Sequence, residues 1–80
     1  MFTVKLNGRS QKQFENLEEH IRYRFAVFFK KLETNPFIGK LTGTSYHAHI
    51  KYKWVAVWEI DKSGKTVTIT YIGSRESAPY

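Results

Sequence analysis

The stretch Tyr46-His-Ala-His-Ile-Lys-Tyr-Lys53 is the one around which the rest of the chain is organised. In a β-strand successive side chains point to opposite faces, so this stretch separates into an apolar set and a basic set. The apolar set is Tyr46, Ala48, Ile50 and Tyr52, and the basic set is His47, His49, Lys51 and Lys53. The apolar set predicts contact with a core. The basic set predicts a solvent-facing row, which is either a plain surface or a surface that meets phosphate.

The composition predicts one small folded domain over residues 1–80 with an anionic partner. Apolar residues make up 41% and aromatic residues 16% of the chain, enough for a core in a chain of this length. The formal net charge is +6, which favours nucleic acid, the ribosome, a membrane surface or an acidic protein. With no cysteine, disulfides and thiolate metal sites are excluded. The absence of a long apolar run and of a signal peptide predicts a cytoplasmic protein without membrane contact.

The first half of the chain predicts one strand and helical structure. Residues 1–6 alternate as a strand does and end at Asn7-Gly8, and Ser10 is a candidate helix cap. Apolar residues from Phe14 to Leu32 are spaced by three and four, which indicates one long amphipathic helix. The same pattern also allows a separate short helical turn over residues 11–16 before the long helix. Asn35-Pro36 predicts the end of the helix.

The second half predicts an antiparallel meander. A connector over residues 37–44 is followed by strands at 44–52, 54–60 and 66–72, and a hairpin over 61–65 has Gly64 where a positive φ is expected. The middle strand is apolar on both faces and is expected at the centre, with Trp54 and Trp58 in the core. The fold class is therefore α+β: an antiparallel sheet of about four strands, with a helical hairpin or a single helix on one face.

Several segments in this order resemble the RelE/ParE toxin superfamily. They are residues 31–36 (KLETNP), 39–43 (GKLTG), 54–61 (WVAVWEID), 72–76 (IGSRE) and the terminal Tyr80. The resemblance implies a RelE-like fold and the toxin of a type II toxin–antitoxin module with a cognate antitoxin. It leaves two activities open, because the RelE branch cuts mRNA on the ribosome without a metal, whereas the ParE branch inhibits DNA gyrase.

The resemblance also assigns site residues, with departures. His47 and His49 take the places where RelE-like sequences carry lysines, and Val55 stands where they carry an arginine. Arg75 matches the arginine after the last strand, and Tyr80 matches the functional tyrosine near the C-terminus. The expected catalytic residues are His47, His49, Arg75 and Tyr80.

Cleavage through the 2′-hydroxyl needs a base, an acid and cations around the phosphate. Two histidines two residues apart on a strand project together, about 7 Å apart, and titrate near neutral pH. Lys51, Lys53 and Lys40 are the expected substrate-binding cations. The competing interpretation is that the histidines are plain surface residues, and no third ligand of suitable spacing favours a metal or other cofactor. Glu59 is a secondary candidate base. A row of helix cations remains open as a solvated face or a ribosomal RNA contact: Arg22, Arg24, Lys30 and Lys31.

Three functions follow from these residues. The first is a ribosome-dependent mRNA endonuclease, with ribosome, mRNA and antitoxin as partners. The second is a ParE-type gyrase inhibitor without nuclease activity. The third is a degenerate relative that only binds RNA or its antitoxin.

Overall fold

The computed structural model describes residues 1–51 and 53–79, and Tyr52 and Tyr80 lie outside the described residues. Over these residues the chain forms five strands, two α-helices and a C-terminal 3₁₀ turn. They are β1 (Thr3–Leu6), α1 (Gly8–Glu15), α2 (Glu19–Thr34), β2 (Lys40–Thr42), β3 (Ser45–Lys51), β4 (Trp54–Asp61), β5 (Thr66–Ser74) and the turn Arg75–Ser77. The sheet order is β1-β5-β4-β3-β2, so the α+β class is confirmed and β4 is central as predicted.

The sheet differs from the prediction at both ends. The segment expected to be a plain connector contains β2, which pairs antiparallel with residues 45–47 of β3. Gly43, at a φ of 63°, makes the tight turn between them, a conformation that favours glycine. At the other end β1 pairs with β5 in parallel, whereas β3, β4 and β5 form the predicted antiparallel meander.

The helical region is two helices rather than one. Asn7 caps α1, because its side-chain Oδ1 accepts a 2.8 Å hydrogen bond from the N–H of Ser10. Ser10 Oγ in turn accepts a 3.0 Å bond from the N–H of Asn7, so Ser10 is the reciprocal partner in a capping box and not the predicted cap. The predicted stop is confirmed, since α2 ends at Thr34 and Asn35 is extended before Pro36. No helix in the described ranges is long and apolar enough to span a membrane.

The core lies between α2 and one face of the sheet. Its fully packed members are Ile21, Phe25, Leu32, Ala56, Trp58, Val67, Ile69 and Ile72. Trp58 is completely buried, and its Nε1–H donates a 2.9 Å hydrogen bond to the carbonyl of Pro36. The backbone at Gly39 passes so close to the Trp58 ring that a Cβ there would lie 2.5 Å from Cη2. The predicted core role of Trp58 is confirmed, and Trp54 packs at the edge of the same cluster.

A β-bulge in β5 changes the face on which Tyr71 lies. The alternating pattern predicts Val67, Ile69 and Tyr71 on one face. In the structure Val57 pairs with Tyr71 but the next residue, Trp58, pairs with Ile69, so one residue of β5 is extra. The bulge therefore moves Tyr71 to the opposite face, where it packs with Val55 and Val57.

The β4–β5 hairpin departs from the prediction at one backbone angle. The positive φ of 51° falls on Lys65, so the prediction of a positive φ at Gly64 is wrong.

Side chains of α1 continue the hydrogen bonding along β5 where β1 ends. Ser10 Oγ donates to the Ile69 carbonyl at 2.6 Å, and Gln13 Oε1 accepts from the Ile72 N–H at 2.8 Å. This edge of the sheet is thus covered by side chains.

Candidate nucleic-acid interface

The candidate site lies on the sheet face opposite the α2 core. We call it the open face because α2 packs on the other side of the sheet. It consists of His47, His49, Val55, Val57 and Tyr71. Residues directly opposite each other on neighbouring strands share a face. One row across the sheet therefore runs Lys40–His47–Val57–Tyr71, and the next runs His49–Val55–Gly73.

His47 is buried, which corrects the prediction of a wholly solvent-facing row. Only 8% of the residue is exposed, because it lies on an inner strand between β2 and β4 and beside the apolar Val57. Burial lowers the pKa of His47, and the charges of Lys40 and then His49 lower it further. Neutral imidazole, which can accept a proton, is therefore the dominant form of His47 at neutral pH.

His49 lies on the same face and is exposed. Its partner across the strand pair is Val55, which is completely buried in the apolar cluster with Val57 and Tyr71. The position where the resemblance implies an arginine therefore holds a buried apolar side chain. The two histidines thus differ in environment, because His47 is enclosed and His49 is accessible.

Lys51 does not continue the histidine row. The register of the β3–β4 pair shifts between His49 and Lys51, and Lys51 is paired with Trp54. Lys51 lines clefts together with His20 of α2. Lys53, in the following turn, holds its Nζ 5.2 Å from the centre of the Trp54 ring. The predicted single basic row is therefore split, with both lysines bordering the start of α2.

Arg75 is tied to this turn through its backbone. Its N–H donates a 2.9 Å hydrogen bond to the carbonyl of Lys53, and the residue is exposed. The end of β5 and the β3–β4 turn are thus held together, and the backbones of two of the predicted cations, Lys53 and Arg75, are adjacent. The predicted role of Tyr80 concerns a residue outside the described part of the chain.

The open face has a further cation that sequence reasoning missed. Arg9, in the first turn of α1, places its Cζ 5.1 Å from the centre of the Tyr71 ring. Arg9 therefore borders the face from the β5 side, while Lys40 borders it from β2. No periodicity links Arg9 to Tyr71, because the contact depends on the bulge that turns Tyr71 to this face.

The remaining candidates are not gathered into a second site. Glu59 is exposed and accepts a 3.3 Å hydrogen bond from Ser45 Oγ, farther along β4 than the partners of the histidines. Within residues 1–51 and 53–79, no three histidine, aspartate or glutamate side chains are grouped so as to hold a metal ion.

Comparison with known proteins gives similarity in structure but not in sequence. No protein-family model and no curated protein sequence matches the chain. Among solved structures, the intact E. coli RelBE toxin–antitoxin complex is similar at a TM-score of 0.84 and 16% identity, covering 92% of this chain and 96% of that one. The archaeal RelE–RelB complex from Pyrococcus horikoshii is similar at 0.78 and 21%, covering 96% and 98%.

A third similar structure carries the name ParE together with YoeB. The YoeB/ParE toxin from Agrobacterium tumefaciens is similar at a TM-score of 0.80 and 13% identity, covering 92% of this chain and 99% of that one. Identities this low show the fold alone. The chain has the RelE-like fold.

Proposed function

We propose that this chain, as one toxin domain over residues 1–80, is the toxin of a type II toxin–antitoxin module that cuts mRNA on the ribosome in the cytoplasm. The observation that carries the proposal is the pair of unlike histidines on the open face. His47 is buried beside Lys40 with a lowered pKa, and His49 is exposed two residues away. Lys40 is the cross-strand partner of His47, so a cation lies beside the pair, as an RNA site requires.

The reaction needs only the chain's own side chains. Neutral His47 accepts the proton of the ribose 2′-hydroxyl as that oxygen attacks the adjacent phosphorus. The bond from phosphorus to the 5′ oxygen breaks, and protonated His49 donates a proton to the departing oxygen. The products are a 2′,3′-cyclic phosphate and a 5′-hydroxyl end. Arg75, Lys40, Lys51 and Lys53 supply positive charge around the phosphate, and Tyr80 is proposed to stack on a base.

The proposed regulator is a cognate antitoxin protein. Two of the similar structures are complexes of a RelE toxin with its RelB antitoxin. The net charge of +6 suits an acidic partner as well as RNA.

The test is expression in cells with mapping of mRNA 5′ ends by primer extension. We expect new ends that appear on induction in translated mRNA, and their loss by about a hundredfold or more in His47→Gln or His49→Gln. Lys12→Gln, an exposed charge on α1, is the control and retains cleavage. Unchanged cleavage in the triple variant His47→Gln/His49→Gln/Arg75→Ala would remove these residues from the mechanism.

A second candidate is ParE-type inhibition of DNA gyrase, favoured by the buried Val55 in place of an arginine. A supercoiling assay separates the two, because gyrase inhibition without new mRNA ends would select this candidate. A chain that causes neither effect and no growth arrest would instead be a relative that only binds RNA or its antitoxin.

A further inference from the structure

A second row of side chains crosses the open face beside the row of His47. Glu59 lies two residues beyond Val57, the cross-strand partner of His47, so its side chain is on the same face about 7 Å away. Every member of this row ends in a hydroxyl, carboxylate or ammonium group, and we call it the polar row. It consists of Thr42, Ser45, Glu59, Thr68 and Lys5.

Glu59 is the carboxylate of this row, and it retains capacity to accept hydrogen bonds. Its Oε2 atom accepts a 3.3 Å bond from Ser45 Oγ, and the residue is exposed. Within the described part of the chain no other side chain bonds to it. Asp61, the next carboxylate along this face of β4, accepts bonds from Ser63 and Gly64 of its own hairpin. Glu59 is therefore oriented by a neighbour and still open to a ligand.

A carboxylate at this position does not serve the binding of phosphate. Lys40 lies in the neighbouring row and attracts an RNA backbone, whereas Glu59 repels one. A negative side chain beside such a surface suits a neutral group that offers N–H donors. In RNA these groups are the base edges, which single strands expose.

Guanine is the base whose edge matches a carboxylate. Its N1–H and N2–H groups lie side by side, so each donates to one carboxylate oxygen in a bidentate contact. The Glu59 Oε2 atom accepts such a bond in addition to that of Ser45, because a carboxylate oxygen has two lone pairs. Adenine, cytosine and uracil each carry an acceptor beside the donor on this edge, and that acceptor repels the second carboxylate oxygen.

We propose that Glu59 binds a guanine base next to the cleaved phosphate, so that the chain cuts mRNA beside guanine. Since one row separates Glu59 from His47, the recognised base lies beside the phosphate and not at it. This position assigns Glu59 to substrate selection rather than to proton transfer. The inference rests on the proposed function, because it names the base at that same site, but guanine binding itself does not require cleavage.

The first experiment measures the affinity of the full chain for short RNAs by fluorescence anisotropy. The probes are UUGUU, UUAUU and UUIUU, where I is inosine, with 2′-O-methyl riboses that prevent cleavage. We expect the guanine probe to bind about tenfold more tightly than the adenine probe. Inosine lacks the N2 amino group and is expected to lie between them. Equal affinities for guanine and adenine, or no binding of any probe, would overturn the proposal.

Glu59→Gln tests whether this residue causes the preference. A glutamine amide offers one acceptor and one donor, the pattern that complements adenine, so the preference is expected to reverse from guanine to adenine. Glu15→Gln makes the same change of charge on α1, where the exposed carboxylate bonds to Gln11, and is expected to keep the guanine preference. A guanine preference that persists in Glu59→Gln would overturn the proposal.

Mapping of mRNA 5′ ends in cells separates this inference from the nuclease itself. We expect ends beside guanine at one fixed position, and a shift toward adenine in Glu59→Gln. Cleavage lost by about a hundredfold at every sequence in Glu59→Gln, with probe binding unchanged, would make Glu59 a catalytic base and overturn the proposal. No new ends with the unaltered chain would refute the nuclease, and the guanine preference would then stand or fall on the binding measurements.

Discussion

The Oε1 atom of Gln13 accepts a 2.8 Å hydrogen bond from the backbone N–H of Ile72, across 59 residues of sequence. Ile72 is 2% exposed, so water has little access to this N–H. The bond lies beyond Leu6–Ile69, the last residue pair between β1 and β5. There the Gln13 side chain takes the place of a strand carbonyl as the acceptor for β5. The first helix is therefore part of the sheet's edge as well as a neighbour of it.

Gln13→Ala is expected to lower the free energy of unfolding by about 1–3 kcal/mol, because it leaves a buried N–H without its acceptor. Gln11→Ala on the same helix removes only an exposed bond to Glu15 and is expected to change stability by less than about 0.5 kcal/mol. Urea denaturation followed by Trp fluorescence measures both. Equal effects of the two variants would show that the Gln13 bond contributes nothing beyond helix propensity.

Gly39→Ala is expected to destabilise the fold by about 1–3 kcal/mol, since its Cβ would lie 2.5 Å from the buried Trp58 ring and 2.7 Å from the His47 carbonyl oxygen. Gly8→Ala is the matched control, because nothing lies within 4 Å of the added Cβ. Thermal unfolding monitored by circular dichroism compares them. A Gly39→Ala protein as stable as Gly8→Ala would contradict the close packing at Trp58.

Among the described residues, two have a positive φ, and they predict changes of opposite sign. Lys65→Gly is expected to stabilise the chain by up to about 1 kcal/mol, because glycine adopts a φ of 51° without strain. Gly43→Ala, at a φ of 63°, is expected to destabilise it by about 1 kcal/mol. Chemical denaturation of both variants gives the two signs. A loss of stability in Lys65→Gly would indicate that greater freedom of the unfolded chain outweighs the relief of strain.

His47 predicts a pH dependence of stability. Its pKa is lowered in the folded chain by burial, by Lys40 and by His49, while in the unfolded chain it lies near 6.5. As pH falls below about 6.5 the unfolded state binds a proton more readily, so the free energy of unfolding falls until the folded pKa is passed. Above about pH 6.5 the protonation of His47 no longer lowers the free energy of unfolding.

His47→Gln is expected to flatten this slope in urea denaturation curves recorded between about pH 7 and 5. His20→Gln, which removes an exposed histidine on α2, is the control and keeps the slope that His47 causes. A slope that persists unchanged in His47→Gln would assign the pH dependence to other groups.

Arg9 is expected to contribute to RNA binding through the open face. Arg9→Ala should weaken binding of oligouridine severalfold and reduce the dependence on salt by about one phosphate contact. Lys12→Ala, on the same helix and exposed, carries the same charge and is the comparison. Fluorescence anisotropy over a range of salt concentrations measures both slopes, and equal losses for the two variants would point to net charge alone.

Much of the secondary structure followed from local patterns. The stop at Asn35-Pro36, the three-strand meander and the core role of Trp58 are confirmed because each depends on neighbours in sequence. Local sequence does not decide the cap of α1, because both Asn7 and Ser10 can cap a helix and only the reciprocal hydrogen bonds show that Asn7 does.

The candidate site was predictable as a set of residues but not as an arrangement. Sequence by itself determined that two histidines share a strand face and that an arginine follows the last strand, because side chains alternate with period two. Only the tertiary structure decided that His47 is buried, that Lys51 leaves the row and that Arg9 and Tyr71 meet. Burial depends on which strands flank β3, and the last two depend on register shifts in pairing, which residues distant in sequence impose on each other.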